Sequence, residues 1–132
     1  PGIVLAIARP VDVHLFESNG KKAAFLREVI RQTRAPASVH QSRIEDWTAK
    51  NRGLEVKLVT SRALAPLPQL LAYSEPFFRS GAIALFHKGQ DVDKEVSDAH
   101  NGWIFEAIKH KSFTDPSGTI LEIRGVRRRQ HD

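Results

Sequence analysis

The chain has 132 residues, with 20 Lys and Arg against 15 Asp and Glu for a formal charge of +5, and it contains neither Cys nor Met. That length suits one ordinary globular domain or part of one. A hydrophobic content of 41% with 27% charged residues excludes the disordered and fibrous classes. The lack of Cys excludes disulfide frameworks, thiolate metal sites and cysteine nucleophiles. No apolar run approaches the roughly 18 residues of a membrane helix, so a cytoplasmic protein without membrane contact is expected.

Pro1-Gly2 leads at once into the apolar stretch Ile3 to Ala8, with no signal or transit pattern ahead of it. The abrupt entry reads as the start of a fragment, a single partial domain over 1–132. Ile3 to Ala8 reads as a helix ended by Arg9-Pro10. Val11 to Glu17 alternates apolar and polar residues as a strand does, and Ser18-Asn19-Gly20 closes it. From Lys21 the positions Ala24, Phe25, Val29 and Ile30 lie at helical spacing up to Pro36. Ala37 to Gln41, Leu54 to Val59 and Gly81 to Phe86 read as further strands. Leu67, Leu70, Leu71 and Phe78 suggest a helix interrupted near Pro76. Trp103 to Phe113 and Thr119 to Val126 flank the turn cluster Thr114-Asp115-Pro116-Ser117-Gly118, which makes an antiparallel hairpin. The whole is an α/β fold with a mostly parallel sheet and a C-terminal antiparallel edge.

Open α/β sheets bind ligands beyond the carboxyl ends of their strands, so the strand ends carry the candidates. Glu17 can accept both hydroxyls of a ribose diol, or can merely favour the N-terminal dipole of the helix that follows. Ser42 and Glu45 fit a helix capping box. A functional version of that segment sets Ile44 against an adenine face with Glu45 near its exocyclic amine. Arg62, at the end of a central strand, needs a partner, either a carboxylate or phosphate ligand or an acid such as Glu17 or Glu45. Lys88-Gly89 offers a cation on a flexible turn. The six histidines are scattered without metal-binding spacing, so a catalytic metal is not expected. No serine lies in a nucleophile elbow. Lys21, Lys22, Arg27, Arg31 and Arg34 on one helix, and Arg124, Arg127, Arg128 and Arg129 near the end, fit a phosphate-backbone partner as well as they fit solvated faces.

The ordered set Pro1-Gly2-Ile3, Glu17-Ser18-Asn19-Gly20-Lys21-Lys22 with Phe25-Leu26, Gln41-Ser42-Arg43-Ile44-Glu45, Ser61-Arg62-Ala63 and Lys88-Gly89-Gln90 resembles the glucose-inhibited division protein B family. Members of that family are 16S rRNA guanine-N7 methyltransferases that use S-adenosylmethionine. The likeness runs from Pro1 to about Gln90. It implies a Rossmann-like class I methyltransferase fold, S-adenosylmethionine as methyl donor, and 16S rRNA or the small ribosomal subunit as partner. Gly2, Glu17, Ile44, Glu45 and Arg62 become the implied cofactor contacts, with Glu17 on the ribose and Ile44 and Glu45 bordering the adenine. Arg62, Lys88 and Lys22 become the implied RNA or substrate contacts. No catalytic acid or base is implied, because guanine N7 already carries a lone pair.

One departure accompanies the resemblance. The family's first strand and its glycine-rich loop, which precede the Pro-Gly element, are missing from this chain. In the family that strand lies between those ending here at Glu17 and Ser61, so a gap in the middle of the sheet is expected. A non-catalytic basic α/β module that binds RNA stands as the alternative, and a Rossmann dehydrogenase as a more distant one.

Overall fold

The computed structural model describes residues 2–9, 11–51, 53–62 and 65–130. The chain divides into two compact units, Pro1–Arg52 and Gly53–Asp132.

In the first unit, α1 (Gly2–Ala8) enters β1 (Val13–Phe16). Gly2 lets the start of α1 approach the strand, for a Cβ added there would stand 2.6 Å from Leu15 Cδ2, and Leu15 is buried. Next come α2 (Gly20–Thr33), β2 (Ala37–His40) and α3 (Ile44–Lys50). Asn19 caps α2 by accepting the Lys22 N–H at 3.0 Å, which satisfies one of the orphan amides of the first turn. Arg34, at φ 57°, closes α2 through its N–H to Ile30 O, and Pro36 prevents further helix. β1 and β2 run parallel, with Val13 opposite Ala37 and Phe16 opposite His40.

Period-2 alternation turns His14 and Phe16 of β1 and His40 of β2 to one face, where they meet Trp47 of α3. His14 stacks on His40 at 5.2 Å, and Trp47 lies 5.0 Å from His40 and 5.1 Å from Phe16. His14 Nδ1 and His40 Nε2 are 2.9 Å apart, so one ring donates and the other accepts. Burial, and then the proximity of His14, push the His40 pKa down. A depressed pKa means that folding favours neutral His40. Its stability contribution is complete above the ordinary histidine range and is lost as pH falls from about 6.5 toward the lower folded value. We expect the melting temperature to fall between pH 7.5 and 5.5, with a loss of up to about 1 kcal/mol, the net worth of one hydrogen bond. His40→Phe should flatten that pH dependence. An equally steep dependence in the variant would remove His40 as its source.

The second unit contains β3 (Leu58–Arg62), α4 (Leu67–Phe78), β4 (Ile83–Lys88), α5 (Val92–Ala99), β5 (Trp103–Lys111) and β6 (Thr119–Arg128). Its sheet order is β3-β4-β6-β5, with β3 and β4 parallel and β6 antiparallel to both of its neighbours. One face of β4 and β6, carrying Ala84, Phe86, Leu121 and Ile123, packs with the apolar sides of α4 and α5 to form the core. Phe86, Leu67, Leu71, Leu121 and Ile123 are the largest fully buried side chains.

Several expectations shift here. The third strand is Leu58–Arg62 and not Leu54 to Val59. Leu54 to Val56 alternates like a strand but lies outside the ladder, which opens where Lys57 O accepts the Ile83 N–H at 3.1 Å and Leu58 stands opposite Ile83. Gly81, at φ 93°, takes up the turn, so the fourth strand starts at Ile83 and runs on to Lys88. α4 is continuous through Pro76. That proline lies in the last turn, where its missing N–H costs one hydrogen bond, and the buried Phe77 and Phe78 directly after it anchor the turn. Helices α3 and α5 were not expected from periodicity, although Val92, Val96 and Ala99 do repeat at helical spacing.

Among the described residues β1 pairs with β2 alone, and β3 pairs with β4 alone. Each therefore keeps one open strand edge, with unpaired backbone donors and acceptors. No helix among the described residues is long and apolar enough to cross a membrane.

Candidate functional site

In the first unit the candidates gather at the carboxyl ends of β1 and β2, which the parallel register makes adjacent. Glu17 N–H donates to His40 O at 3.1 Å and extends the ladder by one residue. The half-buried Glu17 carboxylate is oriented by its own turn, for Oε1 accepts the Asn19 N–H at 3.0 Å. Lys22 is exposed in the first turn of α2. Gly2 has the packing role described above. The capping box expected from Ser42 and Glu45 does not form: Arg43 is the N-cap of α3 without a side-chain bond, and Ser42 Oγ donates to Arg43 O at 2.9 Å. Ser42 sits one position too early to reach the amides of the first turn. Ile44 is half-buried and Glu45 exposed.

In the second unit a cleft of about 700 Å³ opens at the carboxyl ends of β3 and β4. Arg62 and Lys88 both line it, so two of the expected site residues come together there. The other walls are the start of α4, one flank of α5 with Asp91, Lys94 and Asp98, and the hairpin loop with Ser112, Asp115 and Gly118. Arg62 is exposed, opposite His87 in the ladder, and no ion pair holds it among the described residues. The Asp115 carboxyl lies below the usual carboxylate range because the Ser117 hydroxyl and N–H donate to it, with a smaller contribution from the Arg62 charge. The same bonds brace the hairpin loop, which holds Phe113 fully exposed beside the cleft.

Lys88 departs from the expected cation on a flexible turn. It is the last residue of β4, its side chain is 5% exposed, and Nζ donates to Glu95 Oε1 at 2.8 Å and to Ala65 O at 2.7 Å. Its position in the ladder, opposite Thr119 and on the face of Phe86, points it inward beneath α4 and α5. An amine so enclosed and so partnered is not presented to an RNA backbone.

The terminal arginine cluster, though exposed, is partly engaged within the protein. Arg128 lies 4.5 Å over the Trp103 ring and its Nε donates to Glu75 Oε2 at 2.6 Å. Arg129 Nε donates to His100 O. Burial would raise the Glu75 pKa, but the hydrogen bonds from Arg79 and Arg128 outweigh it and bring the carboxyl down. Sequence reasoning missed Glu95 and Asp115. Glu95 falls within the apolar stripe of Val92, Val96 and Ala99, and a carboxylate inside such a stripe signals a buried partner. Among the described residues no cluster of three or more His, Cys, Asp or Glu is placed to hold a metal ion.

Comparison with known proteins bears on this arrangement. Residues 1–124 match the family described as GidB, rRNA small subunit methyltransferase G. A "Ribosomal RNA small subunit methyltransferase G" of Bradyrhizobium sp. (strain ORS 278) is 50% identical over 98% of this chain and 60% of its own length. One from Methylobacterium nodulans is 48% identical over 96% of this chain and 61% of its own. The chain thus spans about 60% of the length of these curated relatives. Among solved structures, a fibrillarin/Nop5p complex aligns with a TM-score of 0.67 at 13% identity, over 86% of this chain and 60% of that one. The bifunctional kinase-methyltransferase WbdD aligns at 0.61 and 9% identity, over 95% and 34%. These likenesses are of fold, a Rossmann-like α/β sheet with a C-terminal antiparallel pair. With the motif order along β1 to β4 and a family match over nearly its whole length, the chain belongs to the GidB family, rRNA small subunit methyltransferase G.

Proposed function

We propose that both units are parts of one S-adenosylmethionine-dependent methyltransferase domain that transfers a methyl group to guanine N7 of 16S rRNA, in the cytoplasm. The reading rests above all on Arg62, an exposed guanidinium at the end of β3 that lines a cleft, in a chain matched to this family over residues 1–124. The residues present fit part of the donor. The turn-oriented Glu17 carboxylate suits a ribose diol, the half-buried Ile44 suits an adenine face, and Glu45 in the first turn of α3 suits its amine. Gly2, at the start of α1, completes the proposed donor contacts of the first unit.

S-adenosylmethionine supplies an electrophilic methyl on a sulfonium. Guanine N7 attacks that methyl with a lone pair it already has as the carbon–sulfur bond breaks, so positive charge passes from the sulfonium to the base, and the protein needs to position the base more than to abstract a proton. Arg62 serves the positioning, with its planar fork suited to a phosphate or to the guanine O6 edge. The α5 wall carries Asp91 and Asp98, and a single carboxylate can accept both the N1–H and the N2–H of guanine. Exposed Lys22, with its neighbours on α2, serves the RNA backbone.

The decisive experiment uses the protein at the full length of its relatives, with small-subunit RNA and labelled donor, and maps the modified base. Methylation at guanine N7 is the expected result. Salt-dependent RNA binding with no methyl transfer and no donor requirement would instead identify a non-catalytic RNA-binding module. Calorimetry with Glu17→Ala and Glu45→Ala should show donor affinity reduced about tenfold or more, as expected for loss of a charge-assisted hydrogen bond. Undiminished affinity in both variants would remove these site assignments.

A further inference from the structure

The Lys88 side chain is almost fully buried at the floor of the cleft, and a buried charge is retained only when it is paired and hydrogen-bonded. Its two partners are informative. Glu95 Oε1 takes the Lys88 amine at 2.8 Å and also accepts the Leu67 N–H at 2.9 Å. Leu67 is the first residue of α4, and the N-cap before it is Pro66, which makes no side-chain cap bond. The first amides of a helix lack acceptors within the helix, so a carboxylate on α5 does the capping that the local sequence leaves undone. It also brings negative charge to the end of α4 that favours it. The second partner of Lys88 is the carbonyl of Ala65, at 2.7 Å. One amine and one carboxylate therefore hold Ala65 and Leu67, which follow Arg62 by three and five residues.

We infer that Lys88 and Glu95 form a positioning pair: together they fix the chain downstream of β3 and so hold the Arg62 side of the cleft in the geometry that receives the substrate. Lys88 acts through Ala65 and Glu95 and does not touch RNA. The inference deepens the methyltransferase reading, since the segment it fixes is the one assigned to the target base. Its structural half, however, can be tested without turnover.

Lys88→Met removes the charge and keeps most of the stem. Lys88→Arg restores a cation, and Glu95→Gln is a milder change that tests the carboxylate and keeps an acceptor for Leu67. All are made in the protein at the full length of its relatives. Hydrogen exchange at the Leu67 amide should quicken at least tenfold in Lys88→Met, and less in Glu95→Gln, while the Phe86 and Leu121 amides in the sheet keep their protection. In methyl transfer, kcat should fall about tenfold with the RNA KM within twofold of wild type, and Lys88→Arg should recover part of kcat. If Lys88→Met does not fold, Glu95→Gln carries both measurements.

A raised RNA KM with unchanged kcat, and a shallower salt dependence of RNA binding, would make Lys88 a direct phosphate contact and overturn the inference. Unchanged exchange at Leu67 would overturn it as well. Absence of methyl transfer in the wild-type protein would count against the proposed function alone, because the exchange measurement would still decide the positioning role.

Discussion

Phe86→Ala is expected to destabilise the protein by about 3–5 kcal/mol, the range for truncating a buried aromatic in a packed core. Phe86 has no exposed surface and stands on β4, between Ser61 of β3 and Leu121 of β6 in the ladder. Its ring faces the core formed by α4 and α5, so truncation leaves a cavity among side chains that are themselves nearly fully buried. Since a domain is typically stable by only about 5–15 kcal/mol, the variant should be close to unfolding at ambient temperature. Urea denaturation followed by circular dichroism measures the loss. Phe113→Ala is the matched control: that ring is wholly exposed, and the change should stay within about 0.5 kcal/mol. A loss below about 1 kcal/mol for Phe86→Ala would mean that the ring does not sit in a close-packed core.

Arg62→Ala should reduce kcat/KM for methyl transfer about 100-fold, on the order of 2.7 kcal/mol, as for loss of a group that orients the substrate for attack. The melting temperature should not move, because Arg62 is exposed and holds no ion pair among the described residues. Arg62→Lys keeps the charge but loses the planar fork, so it should restore only a minor part of the activity. Methyl transfer to small-subunit RNA by the protein at the length of its relatives provides the assay. Full activity in Arg62→Ala would dismiss Arg62 as a functional group and leave the cleft without its cation from β3.

These two positions differ in how openly the sequence declares them. The hydrophobic run Ile83 to Phe86 announces a buried strand, and Phe86 follows from alternation. Arg62 is visible as a charge closing a strand, and the family motifs suggest the role proposed for it. The hairpin was equally legible, since Thr114 to Gly118 combines turn residues between β-branched runs. α5 was less so: its apolar stripe has only Val92, Val96 and Ala99, interrupted by charge, and eight residues give a weak periodic signal. The third strand was displaced because Leu54, Val56 and Leu58 alternate well, and pairing register, which is a property of two strands, overrode alternation in one.

Composition, alternation and the order of strand-end motifs were thus enough to determine the α/β class, the terminal antiparallel pair and the family. They are local or ordered along the chain, and local spacing is what periodicity encodes. Which charges are free to meet a ligand was decided only in three dimensions. Lys88 reads as an exposed cation beside Gly89, yet its partners are Ala65, 23 residues before it, and Glu95, seven residues after it. Arg128 finds Glu75 across 53 residues, and His14 finds His40 across 26. Such pairings depend on how strands and helices pack, and burial then decides whether a charge binds a partner inside the protein or remains at the surface, free to meet a ligand.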